Sequence, residues 1–232
     1  MMQNFVFPGL TTRVVFGSGT MARAGEEVRR LGHERALVLA TPHQKADAER
    51  LAASLGDLSA GVFAGAVMHT PVEVTAEAVE AYRRSGATAV VSLGGGSTTG
   101  LGKAIAVRTG ADQVVIPTTY AGSEMTDILG ETANGEKTTR RSPDIRPETV
   151  IYDVDLTLSL PVGLTVTSAM NAIAHAMEAF YAPDRNPVIE LMCRDAMAEF
   201  RDGIPRLIAS PHDHEARAKA LYAAWCCSTA LG

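Results

Sequence analysis

A chain of 232 residues with 46% hydrophobic and 20% charged side chains has the balance of an ordinary globular protein, long enough to bury a core without disulfide or metal staples. Its formal net charge of -5 argues against a nucleic-acid partner and leaves any anionic ligand to be held by local groups. The first basic residue is Arg13 and no long apolar run precedes it, so neither a signal peptide nor a membrane span is expected. Cys193, Cys226 and Cys227 make no disulfide framework, and a cytoplasmic, reducing location is the expectation.

In chain order, TRVVF at 12–16 reads as a strand ending at Gly17 and Gly19, and residues 21–31 as a helix stopped by Gly32. RALVLA at 35–40 is a second strand and residues 43–55 a second helix. Residues 74–85 place Ala78, Ala81 and Tyr82 on one helical face before Gly86. ATAVVSL at 87–93 and QVVIP at 113–117 are near-continuous apolar strands, as expected where a parallel sheet is covered on both faces. Asn134-Gly135 is a hairpin signal within a polar stretch. Beyond about residue 155, Ala-, Leu- and Met-rich segments at helical spacing predict an all-helical second domain, with the boundary near ETVIYDVDLTLSLP. The pattern reaches Gly232 still in helical spacing, so this domain is expected to be incomplete here. The expected fold class is α/β: a parallel-sheet domain over 1–155, then the start of an all-helical domain over 156–232.

Chemistry concentrates at VVSLGGGSTTGLGKAIAV, residues 90–107. A strand runs into Gly94, Gly95, Gly96 and Ser97, and a helix follows. Glycines allow a tight turn and let a phosphate approach the free amides of a helix N-terminus, where Ser97 could cap the helix or bond an oxygen. Lys103 lies two turns further on. A Walker loop is excluded because Ala104 follows Gly102-Lys103, and a first-strand Rossmann fingerprint does not fit the position. A tight turn without a ligand is the alternative; phosphate binding is preferred. A second run, Thr118-Thr119-Tyr120-Ala121-Gly122-Ser123-Glu124, follows QVVIP. Read alone it is either a polar loop capping its own turns or a cleft wall. Two such loops at the carboxyl edge of one sheet favour a cleft.

In SAMNAIAHAMEAF, Asn171 and His175 are four apart and share a helix face. Asn is a poor metal ligand beside Asp, and a single His on an Ala/Met-rich helix is ordinarily a satisfied core residue. The residues alone leave this pair undecided.

Four segments, VVFGSGT at 14–20, SLGGGSTTGLGKAIA at 92–106, IPTTYAGSEMTDILGET at 116–132 and AMNAIAHAMEAFYAP at 169–183, together resemble the iron-containing alcohol dehydrogenase family over essentially the whole chain. The resemblance implies a dinucleotide-binding domain followed by a helical catalytic domain. It implies cofactor pyrophosphate at Gly94, Gly95, Gly96 and Ser97, with Thr118, Thr119 and Ser123 toward the nicotinamide end, and Lys103 as the loop lysine. Two departures stand out: Gly100 where members typically carry Asp, and Asn171 where they carry a metal-binding Asp. Both resemble a branch that works without a metal, so no metal is expected. That branch reduces a carbon–carbon double bond conjugated to a ketone in a small dicarboxylate, with NADH or NADPH, during breakdown of aromatic compounds. Hydride addition gives an enolate that hydrogen-bond donors can stabilise. His175 and Lys103 are the expected catalytic donors, Asn171 orients substrate, His175 returns the proton, and Lys103 is the expected partner of a substrate carboxylate. Arg140 and Arg141 are expected on a solvated hairpin. The second strand ends Ala40-Thr41-Pro42-His43-Gln44 without a carboxylate, so both dinucleotides are expected to be accepted. A homodimer without membrane or nucleic-acid partners is expected. The alternatives are a metal-dependent alcohol or glycerol dehydrogenase and a non-catalytic nucleotide-binding regulator.

Overall fold

Ala36–Leu39 and Ala89–Gly94 are buried at every position, which only a sheet covered on both faces allows. The structure, a computed structural model, describes Phe5, Phe7, Gly9 and residues 11–231. Its strands are β1 (Arg13–Gly17), β2 (Ala36–Leu39), β3 (Ser59–Phe63), β4 (Ala89–Gly94), β5 (Asp112–Pro117), β6 (Ile128–Ala133), β7 (Glu136–Arg141) and β8 (Thr149–Asp153). Its helices are α1 (Ala24–Arg30), α2 (Lys45–Leu55), α3 (Val72–Ser85), α4 (Gly96–Thr109), α5 (Val162–Ala179), α6 (Pro187–Ala209) and α7 (His214–Leu231). Six strands form one sheet in the order β1-β8-β5-β4-β2-β3, every pairing parallel. β6 and β7 form a separate antiparallel hairpin, turning at Asn134 (φ 51) and Gly135 (φ 80). The α/β class and the helices that follow match the sequence reading.

Alternation along the strands sorts the core into layers. Val38, Val91, Val114 and Ile151 face α1 and α2, meeting Val28, Leu51 and Leu55. Leu37, Leu39 and Val90 face α3 and α4, meeting Val79, Tyr82, Leu101 and Ile105. Val115, Val150 and Tyr152 face the helical part, where Ala172, Phe200 and Leu221 pack. Successive residues of a strand point to opposite faces, so one apolar run serves two layers.

Two strands escaped the sequence reading. β3 is a short edge strand with Gly61 at its centre and no buried position. β8 lies in the run taken as a domain boundary, yet it sits between β1 and β5 and is fully buried. Asp153 at its end collects the amides of Gly19 (3.0 Å), Met21 (2.7 Å) and Asp155 (3.0 Å), which ties the Gly17–Gly19 turn to the sheet. The segment from 21 begins with a 3₁₀ turn, Thr20–Arg23, before α1 proper. Asn186 opens α6 by accepting from the Val188 and Ile189 amides, both at 3.1 Å, as its β-region backbone and short side chain allow.

Strand order decides where a ligand can sit. From β2 the chain moves outward to β3, then returns to β4 on the other side of β2 and continues through β5. The connections leaving β2 and β4 therefore part in opposite directions, and a crevice opens outside their carboxyl ends. Helix α4 can lie close to β4 there because Gly102 has no side chain: a Cβ on it would stand 2.5 Å from Ser92 Oγ, which is buried. Replacement of Gly102 by Val is expected to lower unfolding free energy by about 1–3 kcal/mol through overpacking, measured as a lowered urea midpoint with an unchanged slope.

Candidate functional site

At the β4–α4 junction three backbone segments meet with no side chain between them. A Cβ on Gly94, whose φ is +151, would stand 2.5 Å from Thr98 Oγ1 and 2.8 Å from Gln44 Oε1. One on Gly95 would stand 2.9 Å from Thr119 Oγ1. At Gly96 the nearest atoms, Ala121 Cβ and Ser123 Oγ, are 3.7 Å away, ordinary van der Waals contact without a clash. The Gly95 carbonyl accepts from the amides of Thr98 and Thr99, both at 3.1 Å, which starts the helix at Gly96. The glycines thus serve two ends: close packing at 94 and 95, and an unobstructed helix N-terminus at 96, where backbone amides favour an anion.

The loop after β5 is held against this turn. The Thr118 amide donates to the Gly94 carbonyl at 3.1 Å, and Gln44 Nε2 donates to Thr118 Oγ1 at 3.1 Å. Thr41, His43, Gln44, Gly95, Thr118 and Thr119 line a cleft of about 520 Å³ at the carboxyl edge, closed on its far side by the segment after β8 and by Leu164 of α5. The cleft predicted from two polar loops is present. Asp47 also lines it, a carboxylate three residues past Gln44, where the sequence reading stopped. Arg50 donates to Asp47 and offsets its charge.

Lys103 is placed otherwise than expected. It is 1% exposed, and its Nζ donates to the carbonyls of Ser123 (2.5 Å), Thr126 (2.7 Å) and Ile128 (3.0 Å) and to Thr126 Oγ1 (2.9 Å). Burial pushes the ammonium down to about 7, opposed by the carboxyls of Glu124 and Asp127. Four acceptors around one nitrogen want the three hydrogens of the ammonium. The side chain is a brace that ties the 123–128 segment to α4, so the expectation that Lys103 takes a substrate carboxylate is corrected: its donors are committed to the protein's own oxygens. Beside it Glu124 is 1% exposed and accepts from the Tyr152 hydroxyl at 2.9 Å; burial raises its carboxyl above the usual range.

Ser123 Oγ is buried without a hydrogen-bond partner, as is Thr98 Oγ1. Both flank the glycine turn, Thr98 beneath Gly94 and Ser123 beside Gly96. Arg140 and Arg141 are exposed on β7, with Arg140 4.0 Å from Glu131 and Arg141 3.1 Å from Asp127, the solvated hairpin that was expected.

Asn171 and His175 lie on the outer face of α5, the Asn171 amide nitrogen 3.1 Å from His175 Nε2. The amide can donate only if the imidazole proton sits on Nδ1. Neither residue is among those lining the clefts, so the structure does not by itself join them to the phosphate turn. They do share a helical stripe with Leu164, seven and eleven residues back, which lines the cleft.

The comparisons with known proteins agree with this architecture. The sequence model of the iron-containing alcohol dehydrogenase matches residues 11–154, and that of the Fe-containing alcohol dehydrogenase family, C-terminal, matches residues 165–232. The chain belongs to the iron-containing alcohol dehydrogenase family. Within it, the chain is similar to maleylacetate reductase of Rhizobium sp. (strain MTP-10005), 62% identical over 231 residues, covering 100% of this chain and 66% of the relative. The crystal structure of maleylacetate reductase from Agrobacterium tumefaciens superposes with a TM-score of 0.98 at 61% identity, covering 100% of this chain and 66% of that one. The iron-containing alcohol dehydrogenase from Corynebacterium glutamicum follows with a TM-score of 0.93 and 35% identity, covering 99% of this chain and 64% of that one. The chain thus spans just under two thirds of the length of these relatives.

Family membership corrects the expectation of no metal: both matched models and the Corynebacterium glutamicum neighbour are described as iron-containing. That expectation was drawn from Asn171, Gly100 and the branch of the family they resemble, and such a resemblance does not define a donor set. Among the described residues no group of three or more His, Cys, Asp or Glu side chains could hold a metal ion, and Asn171 offers His175 an amide, not a carboxylate. These residues by themselves do not make an iron site.

Several contributors were invisible in the sequence. Gln44 gave no motif signal, and Asp153 lay in the run read only as a domain boundary. His69 and Thr70 take positive φ, 66° and 46°, although Thr70 precedes a proline that ordinarily steers its neighbour to extended backbone. A Cβ on Gly100 would stand 2.5 Å from Thr70 Oγ1, so the glycine makes room for that strained residue.

Replacement of Gly96 by Ala is expected to leave stability within about 0.5 kcal/mol, because the new methyl meets only ordinary van der Waals contacts, at 3.7 Å. It is expected to weaken NADH binding about tenfold by holding a phosphate off the helix amides, measured by fluorescence titration beside urea unfolding.

Proposed function

We propose that the complete protein is a maleylacetate reductase, which transfers hydride from a reduced nicotinamide dinucleotide to the conjugated double bond of maleylacetate and forms 3-oxoadipate. The observation that carries this reading is the 62% identity to a maleylacetate reductase across the whole of this chain, joined to an open glycine turn at the topological switch point. In this reading Gly94, Gly95, Gly96 and Ser97 take the pyrophosphate, and Thr118, Thr119 and Ser123 face the nicotinamide half. Residues 1–155 act as the dinucleotide domain, and 156–232 begin the catalytic one.

When bound, the dinucleotide supplies the hydride. The chain's own part is binding and proton handling. The amides at the start of α4 meet the pyrophosphate charge, and the unpartnered hydroxyls of Ser123 and Thr98 supply hydrogen bonds that no protein group now takes. Lys103 acts as a positioning residue, holding the carbonyls of Ser123, Thr126 and Ile128 so that Ser123 stays beside Gly96. Hydride addition to the alkene leaves negative charge on the ketone oxygen, where a fixed donor is worth most. His175 is the group assigned to return a proton to carbon, and Asn171, within 3.1 Å, holds its ring and orients substrate. The substrate is a small dicarboxylate. The assembly is a homodimer by resemblance. No helix among the described residues is long and apolar enough to cross a membrane, in keeping with a cytoplasmic site of action.

The reading is tested by following NADH at 340 nm with freshly prepared maleylacetate and, separately, NAD⁺ reduction with simple alcohols, each with the protein loaded with iron. Rapid NADH oxidation by maleylacetate, with alcohol turnover slower by about a hundredfold or more, is the expected outcome for a site built to hold carboxylates. Faster alcohol oxidation would move the protein to alcohol dehydrogenase chemistry.

A further inference from the structure

Gln44 stands where the ends of β2 and β5 meet across β4. Its backbone is set by the 3₁₀ turn Pro42–Gln44, which a proline with fixed φ opens and in which the Gln44 amide donates to the Thr41 carbonyl at 3.0 Å. Gly94 makes room for the side chain, since a Cβ there would stand 2.8 Å from Gln44 Oε1. The side-chain amide then spans two hydroxyls. Thr41 Oγ1 donates to Gln44 Oε1 at 3.2 Å, and Gln44 Nε2 donates to Thr118 Oγ1 at 3.1 Å. Thr41, Gln44 and Thr118 all line the cleft of about 520 Å³.

The direction of these bonds has a chemical consequence. A primary amide has an acceptor end and a donor end, whereas a hydroxyl carries a single proton. With the amide oxygen taken by Thr41, the NH₂ group faces Thr118, and Thr118 Oγ1 is the acceptor in that bond. The Thr118 proton is left over, and among the described residues its oxygen makes no other hydrogen bond. That hydroxyl lines the cleft, so its proton is available to a ligand there. A simple brace between strand ends would work equally well with the amide turned over. Turned over, it would draw the Thr118 proton to itself and leave oxygen lone pairs toward the cleft. Beside the open amides at the start of α4, where an anion is favoured, a donor is the useful polarity.

We propose that Gln44 is a positioning residue for the cofactor: with Thr41 it orders the Thr118 hydroxyl so that its proton is donated to an acceptor oxygen of the bound dinucleotide. The inference rests on the dinucleotide reading given above. Gln44 acts through Thr118, at the second position of a relay that runs from Thr41 to the ligand with every proton directed the same way. Ordering the hydroxyl before binding removes a rotor from the cost of association, so the donor meets its acceptor already aligned.

The test is a double-mutant cycle on NADH binding to the complete protein, read by calorimetric titration beside urea unfolding. Gln44→Met keeps the volume and removes the amide; Thr118→Val keeps the shape and removes the hydroxyl. Each is expected to weaken NADH by about fivefold to tenfold, the loss of one hydrogen bond, and the double variant by no more than about twofold beyond Thr118→Val alone. Gln44→Glu keeps the shape and draws the Thr118 proton to a carboxylate, so it is expected to cost more than Gln44→Met. In the Thr118→Val background only its charge remains, and a smaller cost is expected. A Gln44→Met loss of the same size with and without the Thr118 hydroxyl would show a packing role alone and overturn the proposal. Full NADH affinity in either single variant would overturn it as well. A wild type that binds no NADH would instead overturn the dinucleotide reading, and this inference with it.

Discussion

The close approach of three chain segments at Gly94, Gly95 and Gly96 is the constraint from which the rest of the site follows. Each of the first two glycines stands where a Cβ would meet a neighbouring side chain at under 3 Å, Thr98 and Gln44 at one and Thr119 at the other. Because nothing intervenes, the ends of β2, β4 and β5 converge, and Gln44 and Thr118 can bond across the gap. The third glycine leaves the helix amides open. A sheet whose connections part between β2 and β4 provides the crevice, and the glycine turn leaves helix amides open at its floor, where an anion would be favoured.

Buried polar groups hold the surrounding loops in register. Lys103 fixes the segment after β5 from below, through the carbonyls of Ser123, Thr126 and Ile128. Glu124 and Tyr152 join that segment to β8, and Asp153 at the end of β8 gathers the amides of the first turn. Arg217, fully buried, donates to the Leu160 carbonyl just before α5, to Thr165 Oγ1 in its first turn and to the Pro211 carbonyl, so the first helix of the helical part is pinned to the last one described. Fold and site share these groups: the loops that line the clefts are shaped by charges placed beneath them.

Much of this was legible in the sequence where a local pattern has a single physical meaning. Continuous apolar runs gave β2, β4 and β5, Asn134-Gly135 gave the hairpin, and GGGS after a strand gave the turn. The misses fall where the meaning is set by partners distant in sequence. β8 is recognisable only beside β1 and β5, and β3 only as a half-buried edge. Lys103 has the sequence context of a ligand-binding lysine, yet its role is decided by oxygens 20 to 25 residues away. The metal expectation went wrong through inference from Asn171 and Gly100 without the rest of a donor set. His69 and Thr70 take a backbone shape that a residue before proline ordinarily avoids, so no local rule pointed to them.

The central claim is that the amides of Gly96 and Ser97 bind the pyrophosphate of a nicotinamide dinucleotide. The most direct measurement is a crystal structure of the complete protein grown with NADH. The account predicts pyrophosphate oxygens within about 3.2 Å of those two amide nitrogens, with the dinucleotide extending past Thr118 and Thr119. A dinucleotide whose pyrophosphate lay elsewhere, with the Gly94–Ser97 turn contacting no phosphate, would contradict it.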